Sequence, residues 1–172
     1  MSRIIHKLLL AALLSSPLAA MAEGSYVKLG VGRTNIHDSA SGPDTHLTGV
    51  SLAYGVQLDP LWGVEGGFVR FGRATSYNLL NQPFKVDLNA LYAAGTGTWP
   101  LNSQLSAVGK LGLAVKHASG GGESVTKTSL MAGVGARWMF NKEWGTSIDY
   151  TYFGKEEGTT ISQATISAIY SF

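Results

Sequence analysis

The chain ends in the stretch Ala168-Ile169-Tyr170-Ser171-Phe172, and the segment leading to it alternates apolar and polar side chains. One face carries an apolar residue at every second position: Ala164, Ile166, Ala168, Tyr170 and Phe172. The other face is mainly small and polar: Gln163, Thr165, Ser167 and Ser171. Successive side chains of a strand point to opposite faces, so this pattern predicts a strand with one apolar face. Because an edge strand leaves backbone groups unpaired, we expect it to pair with the first strand and close the sheet.

Seven earlier segments show similar alternation and are predicted to be strands as well. The eight predicted strands span residues 25–36, 47–57, 62–73, 87–98, 104–116, 128–140, 144–154 and 161–172. Each is about 11 residues long, the length that crosses a bilayer at a tilt of roughly 45°. The parity of the fourth segment is ambiguous, so its polar residues Asn89, Tyr92 and Thr96 are not assigned to a face.

The connections between these segments alternate in length. Three are short, at residues 58–61, 99–103 and 141–143. Four are longer and polar, at residues 37–46, 74–86, 117–127 and 155–160. Short turns on the periplasmic side and longer loops on the outer side are typical of outer-membrane barrels.

The direction in which the apolar faces point separates two kinds of barrel. A water-soluble barrel would turn them inward, whereas a membrane barrel turns them toward lipid. The polar faces consist mainly of small residues and glycine. A solvated exterior would usually carry many Lys and Glu residues. Large aromatics also cluster beside the short turns, as in the aromatic belts of membrane barrels: Trp62, Trp99, Trp138, Phe140, Trp144 and Phe172. We therefore predict an all-β protein, an eight-stranded antiparallel up-and-down transmembrane β-barrel.

The first 22 residues are predicted to be a cleaved signal peptide. Arg3 and Lys7 form a positive region, residues 8–14 form a short apolar core, and Ala20-Met21-Ala22 supplies small residues before Glu23. Residues 23–172 then form one barrel domain with 11 basic and 11 acidic residues. This balance predicts no nucleic-acid partner, and the absence of cysteine means that packing and backbone hydrogen bonds supply the stability.

Inward polar faces place five ionisable residues in the lumen: Lys28, Glu65, Lys110, Arg137 and Asp149. An isolated buried charge is very costly, so these groups must be paired or hydrated. We predict that Glu65 pairs with Arg137 and that Lys110 and Asp149 complete a network. The network would act either as a static plug, which we favour, or as a gate that opens an ion path by exchanging partners.

One short motif resembles catalytic machinery. His117-Ala118-Ser119 followed by Glu123 is similar to the His-x-Ser pair of outer-membrane lipid A deacylases, but Gly120 stands where that family usually has Asn. The acid lies in a glycine-rich segment instead of on a rigid strand. We therefore predict that the protein is not an enzyme, with lipid A hydrolysis as the less favoured alternative.

A second polar group lies around the first loop. His37, Asp38, Asp44 and His46 supply four potential metal ligands, but their spacing matches no established site. We predict solvated loop residues, no metal site and no cofactor.

Several stretches resemble the outer-membrane protein A (OmpA) family. The clearest is Tyr54-Gly55-Val56-Gln57-Leu58-Asp59-Pro60-Leu61-Trp62-Gly63-Val64-Glu65-Gly66-Gly67-Phe68, continuing to Phe71-Gly72-Arg73. Shorter similar pieces are Trp99-Pro100-Leu101, Lys110-Leu111-Gly112, Ala132-Gly133-Val134-Gly135 and Ile148-Asp149-Tyr150. The resemblance implies a small eight-stranded outer-membrane barrel with Glu65 at the family's interior glutamate.

The chain departs from this family at its gate. The family has a lumenal lysine on strand four, a glutamate on strand six and an arginine on strand seven, where this chain has Thr96, Arg137 and Ser147. The alternative partners of a gate are therefore missing. No counterpart of the family's C-terminal peptidoglycan-binding domain follows Phe172, so we expect no cell-wall tether.

These patterns together predict an integral outer-membrane protein of a Gram-negative bacterium, exported by its signal peptide. We expect a structural or surface-interaction role in envelope integrity or adhesion, with a small ion-conducting pore as the alternative. The expected partners are outer-membrane lipid and lipopolysaccharide, periplasmic chaperones and the barrel-assembly machinery during biogenesis, and a host or surface ligand at the loops. The protein is expected to be a monomer.

Overall fold

The computed structural model describes residues 24–38, 45–77, 83–120, 123–156 and 159–172. These residues form eight strands: β1 (Ser25–Asp38), β2 (Thr45–Gln57), β3 (Trp62–Tyr77), β4 (Pro83–Pro100), β5 (Leu105–Gly120), β6 (Glu123–Met139), β7 (Trp144–Glu156) and β8 (Thr159–Ser171). The predicted signal peptide and parts of the four long connections lie outside the described residues. No helix within those ranges is long and apolar enough to cross a membrane.

The strands form a closed antiparallel barrel in sequence order. The closing contact joins β1 to β8, with Val27 opposite Tyr170 near one end and His37 opposite Thr160 near the other. The Phe172 N–H donates to the Ser25 carbonyl at 2.9 Å. The predicted pairing of the last strand with the first is therefore confirmed, and the fold is the predicted eight-stranded barrel.

Four strands extend well past the predicted length. Strands β3 to β6 contain 16 to 18 residues, whereas roughly 9 to 11 suffice to cross a bilayer. The predicted connection 117–127 is mostly strand, and His117 lies directly opposite Thr126 in the β5–β6 ladder. Alternation of hydrophobicity marks only the part of a strand with one face in lipid, so it ends before the hydrogen-bonded ladder does.

Two bulges lie at the long-loop end, each at a glycine that directly follows a phenylalanine pointing into the barrel. The register shifts between Arg70 and Gly72 on β3, where Gly72 has φ +116°, and near Gly154 on β7, where φ is +78°. Glycine adopts such backbone angles without steric cost, and a bulge re-aims neighbouring side chains. Phe71 and Phe153, which precede these glycines, are almost completely buried and meet edge to face at 4.9 Å between ring centroids.

The three short turns are built alike. In each, one side-chain oxygen accepts hydrogen bonds from the backbone N–H groups two and three residues later, at 2.6 to 2.9 Å. The accepting residues are Asp59, Asn102 and Asn141. Such side-chain turns satisfy backbone donors that the strand ladder leaves unpaired. Each turn therefore fixes the register of the hairpin that it joins.

Replacing Asn141 with alanine tests this arrangement. The substitution removes the two hydrogen bonds that the Asn141 side chain accepts in the turn between β6 and β7, and we expect the free energy of unfolding to fall by about 1–3 kcal/mol. Lys142→Ala in the same exposed turn is the control and should change it by less than about 0.5 kcal/mol. Urea unfolding in lipid vesicles measures both values. Equal stability of the two variants would show that the Asn141 side chain does not hold the turn.

Candidate functional site in the barrel lumen

The polar faces of the strands point into the barrel and the apolar faces point out. Leu29 and Leu111 are 64% and 67% exposed, whereas Glu65 and Asp149 are 3% and 4% exposed. Strand β4 follows the same rule, since Thr96 is buried and Leu91 is exposed. Tyr92 shares the inward parity of Thr96, which settles the face that the sequence left ambiguous.

The six predicted belt aromatics all lie at the short-turn end with exposed rings. They are Trp62, Trp99, Trp138, Phe140, Trp144 and Phe172. Trp62 and Trp99 meet at 6.4 Å between centroids, and Tyr170 contacts both Trp144 and Phe172 at 4.9 Å and 5.1 Å. Apolar rings exposed at one level around a barrel match the chemistry of a membrane–water interface.

Four of the five predicted lumenal charges meet in one cluster. This charge cluster consists of Lys28, Glu65, Lys110 and Asp149, whose side chains are all buried. Lys110 lies 3.0 Å from a Glu65 oxygen and 3.5 Å from an Asp149 oxygen. Lys28 lies 2.9 Å from Asp149 and 3.8 Å from Glu65. Each cation therefore contacts both carboxylates, and the four formal charges cancel.

The fifth charge, Arg137, takes a different position from the one predicted. Its guanidinium carbon lies 4.5 Å from the ring centroid of Tyr26, a cation–π arrangement. Among the described residues, the ion pairs of Glu65 are with Lys28 and Lys110. The predicted Glu65–Arg137 pair is thus replaced by two lysine contacts, and within the described residues Tyr26 links Arg137 to the cluster.

Two tyrosines complete the hydrogen bonding of Glu65. The hydroxyls of Tyr26 and Tyr92 donate to its two oxygens at 2.9 Å and 2.8 Å. Glycines make room for both rings, because an added Cβ at Gly55 would clash with the Tyr26 ring and one at Gly67 would lie 2.7 Å from the Tyr92 ring. Sequence reasoning missed Tyr26 in this role, although its inward parity relative to Lys28 was available as a signal.

A small polar cavity adjoins the charge cluster. It measures about 30 Å³, and Lys28, Lys110 and Asp149 contribute to its lining together with Ser51 and Thr151. This volume is enough for roughly one or two water molecules. The lumen at this level is therefore filled by side chains.

An apolar layer fills the lumen on the long-loop side of the charge cluster. It consists of Val69, Phe71, Ala90, Ala114, Met131, Phe153 and Ile161, each less than 9% exposed. The alternation in the sequence predicted a polar interior of small residues and a few charges, and this prediction was wrong for the half of the lumen nearer the long loops. Inward apolar side chains exclude water and remove space that ions would need. The described part of the lumen therefore contains two stacked layers of buried side chains, one charged and one apolar.

A cluster of exposed charges lies on β3 and β4 at the long-loop end. Asp87 accepts hydrogen bonds from Arg73 and Arg70, both at 3.1 Å. These contacts hold the pKa of the Asp87 carboxyl below its usual value. The group leaves a net positive charge at the level where the apolar outer band ends.

The residues considered for catalysis and metal binding make ordinary strand contacts where they are described. His117 Nδ1 lies 2.9 Å from Thr126 Oγ1, and His46 Nδ1 lies 2.6 Å from Asn35 Oδ1. Ser119 pairs with Ser124 in the β5–β6 ladder. The Glu123 side chain and Asp44 lie outside the described part of the chain.

Known structures with a similar fold include three outer-membrane barrels. Ail of Yersinia pestis, solved in complex with the heparin analogue sucrose octasulfate, is 22% identical with a TM-score of 0.67, covering 86% of this chain and 97% of Ail. Neisserial surface protein A is 18% identical with a TM-score of 0.63, covering 87% and 97%. The N-terminal barrel of Pseudomonas aeruginosa OprF is 12% identical with a TM-score of 0.52, covering 83% and 97%.

Sequence comparison gives the family. No curated protein matches the chain. The outer membrane protein beta-barrel domain family matches it over residues 8–172. The structural neighbours are less than 25% identical to this chain, so they support the fold alone. The chain belongs to the outer membrane protein beta-barrel domain family, whose barrels reside in the Gram-negative outer membrane.

Proposed function

We propose that this protein is a closed, non-enzymatic outer-membrane barrel that supports the envelope and presents its loops for surface interaction. The observation that carries the proposal is the doubly filled lumen. The charge cluster occupies one level and the apolar layer occupies the next. A barrel filled in this way offers no continuous water path, so its function lies on its outer surface and loops.

The charge cluster acts as a static plug in this proposal. Two lysines face two carboxylates, and Glu65 also accepts from Tyr26 and Tyr92. Exchange of partners within this set leaves every group in the same place, because each lysine already contacts both acids. Moreover, a gate at this level would still leave Phe71 and Phe153 above it.

The surface role is supported by the extended strands at the extracellular end. Strands β3 to β6 continue beyond the length needed to cross lipid and so carry their connecting loops away from the membrane. Rigid scaffolds that position loops commonly carry binding functions. Since the structure of Ail was solved with a heparin analogue, a sulfated polysaccharide is a rational first ligand to test.

The proposed biogenesis follows the predicted division into a signal peptide and a barrel domain. Residues 1–22 direct export, periplasmic chaperones and the barrel-assembly machinery insert residues 23–172, and the mature protein is a monomer in lipid and lipopolysaccharide. The belt aromatics anchor the periplasmic rim at headgroup depth. The Arg70–Asp87–Arg73 group faces the opposite rim, where lipopolysaccharide carries negative charge.

Conductance separates the proposed closed barrel from a pore. We expect the reconstituted protein to show no current steps above the bare-lipid level, with insertion verified by heat-modifiable migration in gels and a general porin as the positive control. The physical reason is that both lumenal levels are filled by buried side chains. Regular steps in the wild-type protein that change in Glu65→Ala or Arg137→Ala would identify a pore and overturn the closed-barrel proposal.

The surface role requires an assay on cells. Deletion of the gene is expected to raise detergent sensitivity and lower attachment to host cells or heparin-coated surfaces, with recovery on complementation. Ser119→Ala should complement fully, and lipid A mass should not change on expression, because neither effect depends on hydrolysis. A lipid A mass shift abolished by Ser119→Ala would replace the proposal with the enzymatic alternative.

A further inference from the structure

Four buried polar atoms at the short-turn end of the lumen have no hydrogen-bond partner among the described residues. They are Gln57 Nε2, Thr96 Oγ1, Thr98 Oγ1 and Arg137 Nε. Thr96 is 1% exposed and Thr98 is 9% exposed, so both hydroxyls are removed from bulk water. Buried polar groups are nearly always hydrogen-bonded, so several unpartnered groups at one place indicate a bound water or ion. The chemistry of the four groups decides between these two.

The strand register brings the amide and the two hydroxyls together. Gln57 on β2 and Thr96 on β4 are both cross-strand partners of Gly63 on β3. An added Cβ at Gly63 would lie 2.9 Å from Thr96 Oγ1, so this hydroxyl is directed over the glycine. Thr98 is the next inward residue of β4 toward the short turn. These three side chains therefore line the part of the lumen enclosed by β2, β3 and β4.

Arg137 reaches the same level from the other side of the barrel. It lies on β6, and its guanidinium carbon is 4.5 Å from the ring centroid of Tyr26 on β1, so the side chain crosses the lumen. The Tyr26 ring lies over its cross-strand partner Gly55. Gly55 is the inward residue of β2 that precedes Gln57. The guanidinium therefore lies within one inward position of the unpartnered amide.

Arg137 brings a positive charge that no carboxylate cancels among the described residues. Its contact is with the ring of Tyr26, which is neutral. The charge cluster is already balanced, because its two lysines and two carboxylates pair with one another. A buried charge without a counterion is costly. The short-turn end of the lumen therefore combines one surplus positive charge with several unpartnered N–H and O–H donors.

We propose that this end of the lumen binds one small monovalent anion, of which chloride is the simplest example. Arg137 and Gln57 donate N–H groups to the anion, and Thr96 and Thr98 donate O–H groups. Hydrogen bonds to a charged partner are roughly twice as strong as neutral ones, which favours an anion over a water molecule. A single negative charge balances Arg137, whereas a divalent anion would leave a surplus.

The position of the site also limits the ligand. The interior of an eight-stranded barrel is only wide enough for side chains, which favours a compact ion over an organic anion. Arg137 and Gln57 are partly exposed, so the ion enters from the periplasmic mouth. The inference concerns the lumen below the charge cluster and does not depend on the proposed surface role.

Anion exchange tests the proposal on the full barrel in phosphatidylcholine vesicles. Urea unfolding is compared in sodium chloride and in sodium gluconate at equal ionic strength, because gluconate is too bulky for the lumen. At a chloride concentration ten times the Kd, the unfolding equilibrium constant should be about tenfold lower than in gluconate. The NMR signal of the Arg137 Nε–H group should shift with chloride and saturate. Equal stability in the two salts, or a signal that ignores chloride, would mean that water alone occupies the site and would overturn the proposal.

Variants separate a specific site from a general effect of salt. Arg137→Gln should abolish the difference between chloride and gluconate. Thr98→Val removes an unpartnered hydroxyl at nearly constant shape, so it should not destabilise the barrel in gluconate but should reduce the chloride effect several-fold. Lys142→Gln removes a positive charge from an exposed turn and should keep the full effect. Folding of each variant is checked by heat-modifiable migration. A chloride effect that persists in Thr98→Val, or that is lost in Lys142→Gln, would contradict a site built from these residues.

Discussion

Replacing Glu65 with glutamine is expected to lower the free energy of unfolding by about 3–5 kcal/mol, the usual effect of removing one partner from a buried ion pair. Glutamine has nearly the same volume, so the change removes charge without opening a cavity. It leaves Lys28 and Lys110 facing Asp149 alone, in a site where neither ammonium is reached by bulk water. The cost is therefore that of an uncompensated buried charge.

Urea unfolding in lipid vesicles, followed by tryptophan fluorescence and heat-modifiable migration, measures this loss. Glu143→Gln makes the same chemical change in an exposed turn and should alter stability by less than about 0.5 kcal/mol. The double variant Glu65→Gln/Lys110→Met should recover part of the loss, because it removes one surplus cation and keeps the volume. Equal stability of Glu65→Gln and Glu143→Gln would show that the charge cluster does not stabilise the barrel.

The fold could be predicted from the sequence because outer-membrane strands must obey two rules at once. Each strand alternates between lipid and lumen, and the sheet must close because lipid cannot satisfy unpaired backbone groups. Both rules leave local traces, in residues 163–172 and in the alternating lengths of the connections. The ends of β3 to β6 nearest the long loops were not predicted, because neither rule governs residues beyond the membrane.

The ion-pair partners of the lumenal charges could not be predicted from alternation alone. Parity places Arg137 and Glu65 inside, but strand tilt and stagger decide the level at which each side chain lies. Arg137 pairs with Ser147, which is two residues nearer to the short turn than Asp149. The guanidinium therefore lies at the level of Tyr26, and the lysines reach Glu65 instead. Register across the whole barrel is a long-range property that alternation within one strand does not contain.

The apolar layer was missed for a different reason. Val69 and Phe71 share the inward parity of Glu65, so counting positions along β3 would have placed them in the lumen. The prediction failed because it assigned large apolar side chains to the lipid-facing surface. The bulges at Gly72 and Gly154 directly follow the two phenylalanines that meet in this layer, and nothing in the sequence sets these glycines apart from the others.

Replacing Leu111 with arginine is expected to cost about 2–4 kcal/mol, because a cation on the lipid face near the middle of the bilayer is strongly unfavourable. Leu111 is 67% exposed on the outer face of β5. It lies four residues beyond Ala107, the cross-strand partner of Trp99. At roughly 3.3 Å per residue and a strand tilt of about 40°, it lies about 10 Å above the belt aromatics, near the centre of an apolar band about 25 Å tall.

Leu101→Arg is the matched control, since Leu101 is also exposed, at 63%, but lies in a short turn beyond the belt aromatics. At the interface the same substitution should cost only about 0–1 kcal/mol. The comparison isolates depth in the membrane, because residue type, exposure and introduced charge are all matched. Urea unfolding in vesicles gives both values. If the two variants lost stability equally, Leu111 would be in contact with water, and a lipid-facing apolar exterior would no longer explain the alternation along β5.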